Sequence, residues 1–229
     1  MLGSRAIGVT TRQTRPAYWI AAIWVLMLVP GCAFEGLSID RHYSRYAARL
    51  PDKNKIFVCS AYTCSAQTEF KFTAEDIARL RALMAEPKHR AGPAQERLRI
   101  GRTLAWMEKR VGDVVGTSAD RPGDDFYGPG DPTQMDCVDV ATNLTSYLLV
   151  LDVNGLIKHH AVAPLYVKED IIRKGLSGWT HYAAVIVENQ SKQKYAVDGW
   201  QLPSGKEPEI VEVESWYIDN RDILVTGSM

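Results

Sequence analysis

Apolar or small residues recur at Cys137, Ala141, Leu144, Leu148 and Leu151. This is the stripe of one helical face, and it predicts a helix beginning at the cysteine. Pro132 lies just upstream, and Asp131, Thr133 and Asp136 are residue types that favour helix starts. Asn154-Gly155 is a usual C-terminal stop. Earlier in the chain, Thr73-Ala74-Glu75-Asp76 resembles a capping box, and Ile77, Leu80, Leu83 and Met84 form a helical face that Pro87 ends. Pro93 opens a second helix carrying Ile100, Leu104, Met107 and Val111 on one side. Ile56-Phe57-Val58 and the alternating run Thr68 to Phe72 read as a strand pair. Ala161 to Val167 is a strand broken by Pro164, which suits a sheet edge. His181 to Glu188 and Lys194 to Trp200 flank the polar turn Asn189-Gln190-Ser191-Lys192 and read as a hairpin. Ile210 to Val213 is a last strand. Helices first and antiparallel strands later give an α+β class, with the cysteine helix packed on a small antiparallel sheet.

The ends of the chain read differently. Arg5, Arg12 and Arg15 precede an apolar run from Ala17 to Cys32, which is the pattern of a secretory leader and is short for a membrane span. Val29-Pro30-Gly31-Cys32 resembles the bacterial lipoprotein box, which implies lipidation of Cys32. An uncleaved N-terminal anchor is the alternative. The expected organisation is a leader at 1–32, a polar linker at 33–54 and one domain at 55–229. Export makes a disulfide between Cys59 and Cys64 credible. A zinc site there is disfavoured, because no second Cys or His pair sits nearby.

Composition narrows the functions. Charged residues make up 24% and the formal net charge is +0, so no basic surface for nucleic acid is expected. The loop from Gly112 to Gln134 is rich in Gly, Pro and Asp. Asp120, Asp124, Asp125 and Asp131 fit no EF-hand spacing and read as turn residues. No metal or cofactor is expected.

Cys137 at a helix N-terminus faces backbone N–H groups and the positive end of the macrodipole, and both favour a thiolate. The plain alternative is a small core residue. In the hairpin, His181 falls opposite Trp200 or a neighbour, with Asp198 diagonal to His181 on the same face. An imidazole backed by a carboxylate is thus within reach. Ala183 and Ala196 share that face and leave room for the cysteine helix, which would complete a Cys–His–Asp arrangement. Gln134 is a candidate oxyanion donor beside the Cys137 backbone N–H, with turn polarity as its other reading. His159 and His160 read as loop or strand-edge polarity. Trp179, Trp200 and Trp216 are candidate cleft walls, with core packing as the default. Asn143 heads a glycosylation sequon but lies inside the predicted helix.

The motifs DCVDVATNL, WTHYAAVIVE and YAVDGW, in that order over roughly residues 130–200, resemble the transglutaminase-like branch of the papain-like cysteine enzymes. The resemblance implies a papain-like core, with Cys137 as nucleophile, His181 as base and Asp198 as its orienting partner. It also implies acyl transfer through a thioester: hydrolysis of a peptide or isopeptide amide, or transfer to an amine. Many bacterial relatives carry a Glu-Asp pair after the cysteine, where this chain has Val138-Asp139. Expected partners are a protein or peptide of the cell envelope, and the membrane through the anchor, on the periplasmic side. The alternative is a non-catalytic envelope lipoprotein that binds a protein or peptidoglycan on the same fold. Whether the Cys137 thiol meets an imidazole or is sealed in the core separates the two.

Overall fold

A computed structural model describes residues 36–87, 91–123, 127–168 and 180–218. The leader, Cys32 and Trp179 lie outside the described residues. Residues Ala33–Met229 form one compact unit. In chain order its elements are α1 (Ile39–Arg45), β1 (Lys55–Ser60), β2 (Ala66–Lys71), α2 (Ala74–Met84), α3 (Pro93–Val115), α4 (Cys137–Val153), β3 (His160–Lys168), β4 (His181–Glu188), β5 (Lys194–Asp198), β6 (Glu209–Glu212) and α5 (Val213–Ile218). The α+β class holds. Among the described residues there are two antiparallel sheets, a β1–β2 hairpin and a four-stranded meander in the order β3-β4-β5-β6. Among the described residues, no helix is long and apolar enough to cross a membrane.

α4 is the centre of the unit. Its predicted stripe is present, but burial extends around most of the helix, from Cys137 to Leu148 without a break. A helix buried on all sides must satisfy its polar side chains locally. Thr142 and Thr145 donate to the carbonyls of Val138 and Ala141, one turn back. Asn143 exchanges two hydrogen bonds with Cys59, its Nδ2 donating to the Cys59 carbonyl and its Oδ1 accepting the Cys59 N–H. The sequon residue therefore mimics a strand partner at the edge of β1, and its amide is committed inside the core.

The stretch expected as a linker, 33–54, includes a docked helix. His42 and Tyr43 of α1 are both buried. Tyr43 Oη donates to the Thr142 carbonyl at 3.1 Å and lies 2.7 Å from Ser146 Oγ. Thr142 gives its own proton to Val138, so its Oγ accepts from His42 Nε2 at 2.8 Å. Burial, and to a smaller degree Arg45, push the His42 pKa down to about 4, so it packs as a neutral ring. Seven residues of mixed polarity give too short a pattern to read from sequence. The packing partner on α4 makes the helix.

The meander divides the apolar residues by strand parity. Tyr182, Ala184, Ile186, Tyr195 and Val197 join the core cluster around α4. Ala183, Val185 and Ala196 form a second cluster with Val213 and Trp216 of α5. The expectation that α4 covers the alanine face is corrected: α4 takes the opposite face, and α5, which was not foreseen, covers the alanines. The alternation explains this choice. The larger side chains meet the helix, and the small ones admit an indole. Pro164 falls at a bulge between Ala163 and Tyr166 on the edge strand β3, where its missing N–H breaks no ladder bond.

Candidate functional site

The hairpin register is the expected one. Ala184 pairs with Val197 and Val185 with Ala196, so continuing the ladder places His181 opposite Trp200 and diagonal to Asp198. His181 Nε2 lies 2.6 Å from Asp198 Oδ2. Burial alone would raise the Asp198 pKa. The His181 charge and hydrogen bond, the Trp216 indole and the Trp200 N–H outweigh it and hold the carboxyl below its ordinary range. An ionised carboxylate only accepts, so Nε2 carries the proton and, in the neutral ring, Nδ1 is the basic nitrogen. That Nδ1 is buried and has no hydrogen-bond partner. Trp200 and Trp216 flank the ring, with centroids at 4.7 and 5.6 Å.

Cys137 is the first residue of α4 and is buried, with 4% exposure. Its thiol donates to the Thr180 carbonyl at 3.5 Å. The sulfur therefore reaches the residue before His181, and Cys137 packs in the core cluster with Tyr182 and Ala184 and not with the alanine-face cluster. Cys137, Thr180, His181, Asp198 and the two tryptophans are thus gathered at one end of the meander.

The helix N-terminus is less simply positive than the sequence implied. Asp136 is the N-cap, and it exchanges capping-box hydrogen bonds with Asp139. Both carboxyls are buried and both pKa values are raised. For Asp139 the causes are burial, then the charge of Asp136, and its value reaches about 8. Two anions in this position would oppose a Cys137 thiolate, and a shared proton reduces that opposition.

The turn that answers these acids is unusual. Ala61, Tyr62, Thr63 and Cys64 all have positive φ, between 52° and 69°, a conformation rarely held by consecutive residues with a Cβ. The Cys59–Cys64 disulfide closes this turn. The N–H groups of Tyr62 and Cys64 donate to Asp139, and that of Thr63 to Asp136. Among the described residues, the ligand atoms of Cys59, Cys64 and Asp139 lie within 4.8 Å of one another. Both sulfurs are in the disulfide and both Asp139 oxygens accept backbone N–H groups, so this form presents no metal-binding set.

Other expected residues are placed elsewhere. Gln134 is buried, and its amide nitrogen donates to the Ala119 carbonyl and to Thr133 Oγ, while Oε1 accepts from Arg121 N–H. Both amide protons are committed to ordering the loop before Cys137, which removes Gln134 as an oxyanion donor. Asp131 accepts from Thr133 as a turn residue. His160 is at the far end of the meander, paired with Glu188. Its Nε2 accepts from Arg97 at 3.2 Å and its Nδ1 donates to Glu96 at 2.8 Å, while His159 Nε2 lies 3.0 Å from Glu86. β4 alone separates this charged network from His181 by about 20 Å. The residues missed from sequence are Thr180, whose role is a backbone carbonyl, and the Asp139 anchor for the turn. No protein-family model, curated protein or solved structure matches this chain.

Proposed function

We propose that this chain is an exported cysteine-dependent acyl-transfer enzyme, acting on a peptide or isopeptide amide of the cell envelope from a transglutaminase-like, papain-like core. The observation that carries the reading is the His181–Asp198 pair: Nε2 is bound to the carboxylate, and an unpartnered basic Nδ1 sits one residue from the carbonyl that holds the Cys137 thiol. In this reading Nδ1 takes the proton of Cys137 Sγ, and the thiolate adds to the amide carbon. The oxyanion is met by the Cys137 backbone N–H. The tetrahedral adduct then collapses, the leaving amine receives the proton from Nδ1, and a thioester remains. Water or an acceptor amine, deprotonated by Nδ1, releases the product and restores the thiol. The leader at 1–32 would deliver the domain to the periplasmic side, held by lipid at Cys32.

One observation favours a second reading. Cys137 has only 4% exposure, as expected of a structural cysteine in a non-catalytic envelope lipoprotein that binds a protein or peptidoglycan. Alkylation by iodoacetamide separates the two. The enzyme reading expects Cys137 to react well below the pH at which a free cysteine does. His181→Ala should raise that apparent pKa, and Asp198→Asn should act mainly on turnover, by disturbing the tautomer. His159→Ala and His160→Ala should leave alkylation unchanged. A thiol that reacts only after unfolding would replace the enzyme with the binding protein.

A further inference from the structure

Asp198 is held by more than its histidine. Its Oδ2 accepts two hydrogen bonds, from His181 Nε2 at 2.6 Å and from the Trp216 indole N–H at 2.7 Å, while Oδ1 accepts the Trp200 backbone N–H at 3.2 Å. Trp216 comes from α5, after the last strand and outside the segment that supplies Cys137, His181 and Asp198. We propose that Trp216 is a positioning residue, whose indole N–H keeps Asp198 Oδ2 aimed at His181 Nε2. The inference rests on reading Cys137, His181 and Asp198 as one catalytic arrangement.

Three features support this role. An isolated carboxylate can rotate and offer either oxygen. A second fixed donor on Oδ2 and a third on Oδ1 remove that freedom. The indole is a donor only, so it cannot compete for the His181 proton as a hydroxyl or a second carboxyl would. The ring itself is fixed. Trp216 packs with Val213 on Ala183, Val185 and Ala196, its ring lies 5.6 Å from the His181 ring, and Lys168 Nζ sits 4.2 Å from its centroid. Lys168 is the cross-strand partner of His181, so the strand pair that presents the imidazole also presents the cation that holds the indole. Core packing alone asks only that the N–H find some acceptor. It does not require the oxygen that binds the histidine.

Trp216→Phe keeps an aromatic ring and removes the N–H. In the full-length protein, the acid limb of the Cys137 alkylation profile should move up by about one pH unit and the rate at pH 6 should fall about tenfold, with the alkaline plateau unchanged. A profile superimposable on the parent's overturns the proposal. If Cys137 alkylates in neither protein, the functional reading fails by itself, and Trp216 is judged by NMR titration of the His181 imidazole. A titration moved by the substitution supports positioning, and an unmoved one overturns it. If Trp216→Phe does not fold, the parent protein decides. The Trp216 indole N–H resonance should shift through the Asp198–His181 titration, and a resonance that stays fixed overturns the assignment.

Discussion

Glu108 and Asp120 are acids whose ionisation the fold delays to near neutral pH. Burial raises each to about 7, and each is partly compensated by a backbone donor, Gly205 for Glu108 and Met135 for Asp120. Their charges also oppose each other, and Asp136 opposes Asp120. An acid whose folded pKa lies above its unfolded value contributes stability below about pH 4, where both states hold the proton. That contribution is lost as pH rises to about 7, because the unfolded chain has already released it. Glu108→Gln should therefore stabilise the protein by about 1–3 kcal/mol at pH 7.5, with the gain vanishing near pH 4. Urea denaturation at the two pH values measures it, and equal gains at both would refute the linkage. The same argument applies near the thiol. Burial and Asp136 hold Asp139 protonated up to about pH 8, so Asp139→Asn removes a second anion only above that pH, and it should speed Cys137 alkylation there while leaving it unchanged at lower pH.

At the scale of elements, the start of α4 is held by a turn from another part of the chain. Four left-handed residues are costly individually. The disulfide and three N–H to carboxylate bonds offset that cost. Opening the disulfide returns loop entropy worth about 2 kcal/mol for so short a loop. It should also release donors from Asp136 and Asp139. The double variant Cys59→Ser, Cys64→Ser is therefore expected to lower Tm by about 5 °C. It should also speed amide exchange at Val138 and Asp139 more than in the middle of α4. Uniform exchange along α4 would mean that the turn is not its clamp.

At the scale of the whole molecule, the proposed lipid anchor and the domain are separable. Cys32→Ser should leave the precursor unprocessed and abolish the membrane-bound mature form, while the far-UV circular dichroism of the domain stays the same. Unchanged mass and membrane partitioning would remove the anchor from the proposal. What could be read in advance was whatever depends on neighbours in sequence. The capping box at Thr73 follows from side chains three residues apart, and Asp136 reads as a helix-start residue, whereas its reciprocal pairing with Asp139 came only with the structure. The His181–Asp198 diagonal follows from one tight turn, because strand alternation carries register along a hairpin without outside help. The Cys59–Cys64 pairing follows from two cysteines close in sequence with no second Cys or His pair beside them to complete a zinc site. The tertiary structure decided which face of the sheet α4 would take, because both faces alternate with apolar residues and only the summed volumes of distant side chains separate them. It decided that 39–45 would be helical, since a seven-residue helix is unstable without a surface such as Thr142 and Ser146 to dock on. It turned Gln134 into a loop tie and brought Trp216 onto Asp198. Those contacts join residues far apart in the chain, and no periodicity within either segment encodes a partner that only packing selects.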